Sequence, residues 1–206
     1  MSLSFFVFST YIREEASSLE IKFSQFDTLY RECYNFAMIR NIVLIGFMGT
    51  GKSTLAGILQ QQLGRKAVST DAMVEKLEAK SIAEIFKNSG EGYFRNLEHR
   101  VVRDLSNQEG LIIDCGGGAV LNPDNIQALK KNGILIHLAC EPQEILRRVQ
   151  MQPKRPLLDV SDPLSKINEL LNVRQPFYEK ADVTLDTTDG DLHRVAREVI
   201  TYVKQN

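Results

Sequence analysis

The sequence offers little to a membrane, a disulfide framework or a zinc site. Its 206 residues hold no tryptophan, three histidines and three cysteines. Cys33, Cys115 and Cys140 are scattered, with no CxxC pair. That spacing excludes a disulfide scaffold and a recognisable zinc site, and it favours a reducing compartment, here the cytoplasm. No apolar run approaches the roughly 18–20 residues needed to span a bilayer. Net charge is −1, from 25 basic and 26 acidic residues, so no overall field draws the chain to nucleic acid or an anionic membrane. What is present, 43% hydrophobic and 25% charged residues, is the balance of an ordinary globular domain with ample core.

Residues 1–37 lack the marks of a targeting segment. The stretch SFFVFSTYI has neither the basic flank nor the apolar length of a signal peptide. Glu14, Glu15, Glu20, Asp27 and Glu32 do not suit a transit peptide, which avoids acids. Met38 stands directly before Ile39-Arg40-Asn41, where the compact fold is expected to begin. The extension is read either as a segment that packs on a protein surface or as an upstream start that contributes little. Neither reading carries chemistry.

Asn41-Ile42-Val43-Leu44-Ile45 is a short continuous apolar run, as expected of a central parallel strand covered on both faces. It leads into Gly46-Phe47-Met48-Gly49-Thr50-Gly51-Lys52-Ser53-Thr54, a full match to G-x-x-x-x-G-K-[ST]. Glycines let the backbone wrap an anion with its N–H groups turned inward, and the helix expected from about 52 to 63 presents its positive end to the same phosphates. Lys52 can reach the β- and γ-phosphates, and Ser53 can place its hydroxyl on Mg²⁺. The motif points to a nucleoside triphosphate.

Further strand candidates recur near 67–68, 111–113, 134–136 and 183–185, separated by helical stretches near 72–88, 92–106, 123–131, 141–151 and 191–204. Alternation of this kind predicts an α/β fold, a doubly wound five-stranded parallel sheet with helices on both faces and right-handed crossovers. Ligands of such folds gather at the carboxyl ends of the strands. There the sequence places Ser69-Thr70-Asp71 after the second strand and Asp114-Cys115-Gly116-Gly117-Gly118 after the third. An acid at that strand end can organise a metal, or it can simply cap the turn. A run of three glycines permits close approach of backbone to a ligand, and an ordinary loop does not need it. Arg95, Arg148, Arg155 and Arg174 complete the candidates. Taken singly each suits a solvated surface; taken together with a phosphate loop they could clamp a carboxylate and a phosphoryl group. Glu98, three residues after Arg95, lies on the same helix face. Lys154-Arg155-Pro156-Leu157-Leu158 reads as a mobile lid within about 150–163.

In order, GFMGTGKST, Asp71, SIAEIF with GEGYFRNLEHRVV, GGGAV, KRPLL and RQPFYEKAD make the chain resemble the shikimate kinases from about residue 39 to 203. The resemblance implies ATP-dependent phosphorylation of the 3-hydroxyl of shikimate by a domain spanning 38–206. It implies that Asp71 binds the shikimate hydroxyls and orients or deprotonates the nucleophile. Arg95 and Arg174 would hold the carboxylate, with Glu98 keeping Arg95 in place. Gly116, Gly117 and Gly118 would approach the ring, and Phe86 and Phe94 would wall the pocket. Gly49, Thr50, Gly51, Lys52, Ser53 and Thr54 would hold the nucleotide, Arg155 would descend with the lid, and Arg148 would lie along the adenine. Catalysis would rest on Lys52, Asp71 and Arg155. Two positions depart from the family pattern. The acid usual two residues before Asp71 is Ser69 here, and Asp114 stands where a small or hydroxylated residue is more common. Ser53 and Asp114 are therefore the expected metal residues. The loop 186–190 also lacks the arginine and proline common there.

The expected partners are ATP and shikimate, with no nucleic acid and no membrane, and the expected state is a monomer. Two other readings stay open on sequence alone. One is another small-molecule kinase of this fold, such as a gluconate-type kinase. The other is a catalytically silent nucleotide-binding module.

Overall fold

The computed structural model describes residues 40–151 and 158–206. The expectations for residues 1–37 and for Lys154 and Arg155 of the lid lie outside the described residues.

Strand β1 (Asn41–Gly46) is buried at all six positions. Its neighbours are β3 (Ile112–Asp114) on one side and β4 (Gly133–Ala139) on the other, both parallel to it. β2 (Ala67–Ser69) pairs with β3, and β5 (Val183–Asp186) pairs with β4, giving the sheet order β2-β3-β1-β4-β5. The five-stranded parallel sheet is thus as expected.

Successive side chains of β1 serve opposite cores, as the two-residue period of a strand requires. Ile42 and Leu44 pack with α1 (Lys52–Leu63) and α7 (Leu192–Gln205) through Leu55, Leu59, Val195 and Val199. Val43 and Ile45 pack the other way, against α2 (Thr70–Glu78), α3 (Ile82–Ser106) and α4 (Pro123–Lys131). A third, smaller core joins Phe47 to Ile145 and Val149 of α5 (Pro142–Gln150) and to Ile167 of α6 (Pro163–Tyr178). It lies beneath the phosphate loop. Each buried aliphatic side chain adds about 1.5–3 kcal/mol, so the strand ends that carry the site stand on a rigid platform.

Two helix boundaries differ from expectation. The helix expected over 72–88 ends at Glu78, with Ala79 in the left-handed region (φ 50°). A new helix starts at once, because Ser81 and Glu84 form a reciprocal capping box. The gap expected near 89–91 is instead a kink inside α3, where Gly90 leaves helical geometry at φ 80°. Helix α6 was not expected from the sequence. Its apolar positions Leu164, Ile167, Leu170 and Leu171 follow helical spacing, but Pro163 and Pro176 bracket them and read as loop.

Candidate active site

The register brings the site together at one edge of the sheet. Leu44 and Ser69 are both paired with Asp114, so β2 and β3 end level with Leu44 and β1 runs two residues further, to Gly46, before the phosphate loop. A cavity of about 480 Å³ opens above them. Gly49, Gly51, Lys52, Ser53, Asp71, Asp114, Gly116 and Gly117 are among the residues that line it.

Helix α1 begins after Gly51 with no side-chain cap. Its first N–H groups therefore remain open to an anion, at the end where the helix dipole is positive. Lys52 is buried and donates to the carbonyls of Gly46 (3.0 Å) and Phe47 (2.9 Å). Burial lowers its pKa, while Asp114 and then Asp71 act to keep it charged. Ser53 donates to Asp114 Oδ2 at 2.6 Å. Ser69 is used differently: its hydroxyl accepts from the N–H of Ala72 and caps α2.

The glycine run is held from below by Thr70, whose hydroxyl accepts from the N–H of Gly116 at 2.8 Å. Polar side chains crowd the glycines: Gly116 faces Asp71 and Glu98, Gly117 faces Arg174, and Gly118 faces Arg95. A Cβ on Gly116 would overlap Asp71 Oδ1. On Gly117 it would stand 3.4 Å from Arg174 Nη1, and on Gly118 it would collide with the Arg95 guanidinium at 2.5 Å. At Gly116 and Gly118 the Asp71, Glu98 and Arg95 side chains occupy the space where a Cβ would go, while at Gly117 a Cβ would make only ordinary contact.

Glu98 binds Arg95 Nη1 at 2.7 Å, as expected from their spacing, and is 2% exposed. Its other oxygen, Oε1, is buried and has no hydrogen-bond partner among the described residues. Burial pushes the Glu98 carboxyl up, Arg95 opposes this, and Asp71 adds to the rise. Arg95 also lies 5.2 Å from the centre of the Phe94 ring, which packs at 4.9 Å on Phe86. Arg174, 4% exposed, stands 5.1 Å over the Phe47 ring and donates to the Gly117 carbonyl at 3.0 Å. Cys115 is fully buried, and burial raises its pKa well above the ordinary value, so it remains a thiol.

Arg148 ties the phosphate loop to the loop after β5. It donates to the carbonyls of Gly49 (3.3 Å) and Thr187 (2.6 Å), and its Nε donates to Glu144. The sequence reading missed three contributors: Thr70 under the glycines, Phe47 beneath Arg174, and Tyr178, whose hydroxyl also reaches the Gly117 carbonyl. Tyr178 and Phe47 lay inside quoted motifs, but only their contacts give them a place.

The family model described as Shikimate kinase matches residues 48–204. A shikimate kinase of Caldanaerobacter subterraneus is 47% identical over 167 residues, covering 81% of this chain and 98% of its own. One from Pelotomaculum thermopropionicum is 42% identical, covering 82% and 98%. Among solved structures, shikimate kinase from Acinetobacter baumannii in complex with shikimate superposes with a TM-score of 0.79 at 33% identity, covering 84% of this chain and 98% of that one. Shikimate kinase from Aquifex aeolicus gives 0.68 at 34% identity, covering 78% and 94%.

Proposed function

The chain belongs to the shikimate kinase family, and on that premise we propose that its cavity is where the γ-phosphoryl group of ATP passes to the 3-hydroxyl of shikimate. The products are shikimate 3-phosphate and ADP, a step toward chorismate and the aromatic amino acids. The observation that supports this assignment of the site most is the glycine run. It gathers the Asp71 and Glu98 carboxylates and the Arg95 and Arg174 guanidinium groups around one stretch of backbone, beside the cavity that Asp71 and the phosphate loop line. A small polyhydroxylated acid needs that set: paired arginines for its carboxylate and an aspartate for its hydroxyls.

In this reading ATP lies with its phosphates on the loop from Gly49 to Thr54, and Lys52 turns from the Gly46 and Phe47 carbonyls to the β- and γ-phosphates. Arg95, fixed by Glu98, and Arg174 hold the shikimate carboxylate. Asp71 orients the 3-hydroxyl and accepts its proton as the oxygen bonds to the γ-phosphorus. The bond to the bridging oxygen breaks, and ADP leaves with that electron pair. Positioning and charge compensation supply the catalysis, so Lys52 and, from the lid, Arg155 carry much of it. Arg148 holds the phosphate loop and the 187–188 backbone beside the adenine.

Mg²⁺ is the proposed metal, and the residues fit it. Ser53 and Asp114 offer a hydroxyl and a carboxylate, both hard oxygen donors. Among the described residues no group of three or more His, Cys, Asp or Glu could enclose an ion, so phosphate and water would complete the shell. Held there, Mg²⁺ would supply charge neutralisation on the β- and γ-phosphates.

Among the described residues no helix is long and apolar enough to cross a membrane. We place the enzyme in the cytoplasm as a monomer, with 38–206 as its catalytic domain. A coupled assay of ADP release with shikimate, gluconate or no acceptor tests the function. Shikimate-dependent release is expected. Equal release in all three arms would contradict it.

A further inference from the structure

We propose that Tyr178 is a positioning residue for the acid-binding half of this pocket, acting through the carbonyl of Gly117. The inference rests on the reading of Arg174 as a carboxylate arginine and adds a residue to it. Arg174 and Tyr178 are four residues apart near the C-terminal end of α6, and therefore on one face. Both donate to the same oxygen: Arg174 Nη1 at 3.0 Å and Tyr178 Oη at 3.3 Å. A carbonyl oxygen has two lone pairs, and here both are used.

The ring that carries this hydroxyl is fixed. Tyr178 is 1% exposed and stacks on His137 of β4, with ring centroids 4.5 Å apart and planes within 10°. The hydroxyl on that ring donates to the Gly117 carbonyl. Burial also raises its pKa above the usual phenol value, so it keeps its proton. On the other side of the same backbone, Thr70 holds the N–H of Gly116. The peptides of the glycine run are thus clamped between the start of α2 and α6. A looser Gly117 carbonyl would free both the glycine backbone and the guanidinium of Arg174, whose position the carbonyl helps define.

The test is calorimetric binding of shikimate and of ATP to the full chain and to three variants, with thermal unfolding as a check on the fold. Tyr178→Phe keeps the ring and its stack and removes one neutral hydrogen bond. It is expected to weaken shikimate binding roughly three- to ten-fold and leave ATP within two-fold. His137→Phe keeps an aromatic stack and should leave both affinities within two-fold. Arg174→Ala should weaken shikimate far more than ATP. If Tyr178→Phe binds shikimate within two-fold of wild type while Arg174→Ala does not, the positioning role is overturned and the reading of Arg174 stands. Equal weakening of both ligands in Tyr178→Phe, or the same shikimate loss in His137→Phe, overturns it as well, since packing alone would then account for the effect. Unchanged shikimate binding in Arg174→Ala would instead remove the premise.

Discussion

Ser53 donates a 2.6 Å hydrogen bond to Asp114, so a hydroxyl at the start of α1 and a carboxylate at the end of β3 form one oxygen pair at the floor of the cavity. Ser69 is the register partner of Asp114 on the neighbouring strand, but its side chain is used to cap α2. The carboxylate beside Ser53 therefore stands on β3, and the proposed metal role falls to it rather than to β2.

Asp114→Asn keeps an acceptor for Ser53 and removes the charge. It is expected to raise the Mg²⁺ concentration for half-maximal rate roughly ten-fold, the scale of one charge-assisted contact. Adding Ser69→Asp should restore part of the loss, because the two positions lie level in the sheet. Superimposable Mg²⁺ titrations of wild type and Asp114→Asn would leave Asp114 as a capping residue only.

Gly118→Ala places a methyl group 2.5 Å from the Arg95 guanidinium, which Glu98 holds from its other side. Arg95 has to move. The KM for shikimate should rise about ten-fold while that for ATP stays within two-fold, the fold-change following from one lost charge-assisted contact. An unchanged KM for shikimate would show that Arg95 does not meet the substrate.

His137 gives the protein an acid-sensitive term. Burial, and then the nearby charge of Lys52, lower its pKa from 6.5 to about 4. Above pH 6.5 the imidazole is neutral in folded and unfolded chains alike and costs nothing. As pH falls from 6.5 toward 4, the unfolded chain takes up the proton and the folded one does not, so stability declines, by roughly 2–3 kcal/mol in total. His137→Phe should flatten that part of a Tm-against-pH curve. Parallel curves for the two proteins would mean that the histidine titrates normally.

Much of this site was legible because its residues sit in local patterns. The phosphate loop, the glycine run and the Arg95–Glu98 spacing each encode their own geometry within a few residues, and the apolar runs announced all five strands. Contacts between distant segments were not legible. That Thr70 supports Gly116, that Phe47 lies beneath Arg174 and that Tyr178 shares a carbonyl with Arg174 depend on how α2, the phosphate loop and α6 meet. Helix α6 itself was hidden by its prolines, since Pro163 sits harmlessly in its first turn and Pro176 near its end. The break after Glu78 could have been read, because Ser81-x-x-Glu84 is a helix-start signal.

The most direct measurement is the pair of Michaelis constants, for shikimate and for ATP, in Arg95→Ala and Arg174→Ala beside wild type. Under the proposed assignment each variant would lose one charge-assisted contact to the shikimate carboxylate, about 1.5–3 kcal/mol or roughly ten- to hundred-fold. The expected result is a rise of that size in the KM for shikimate, with the KM for ATP within two-fold. Equal changes for both substrates, or none for shikimate, would contradict the assignment of these arginines to the acid and with it the proposed site.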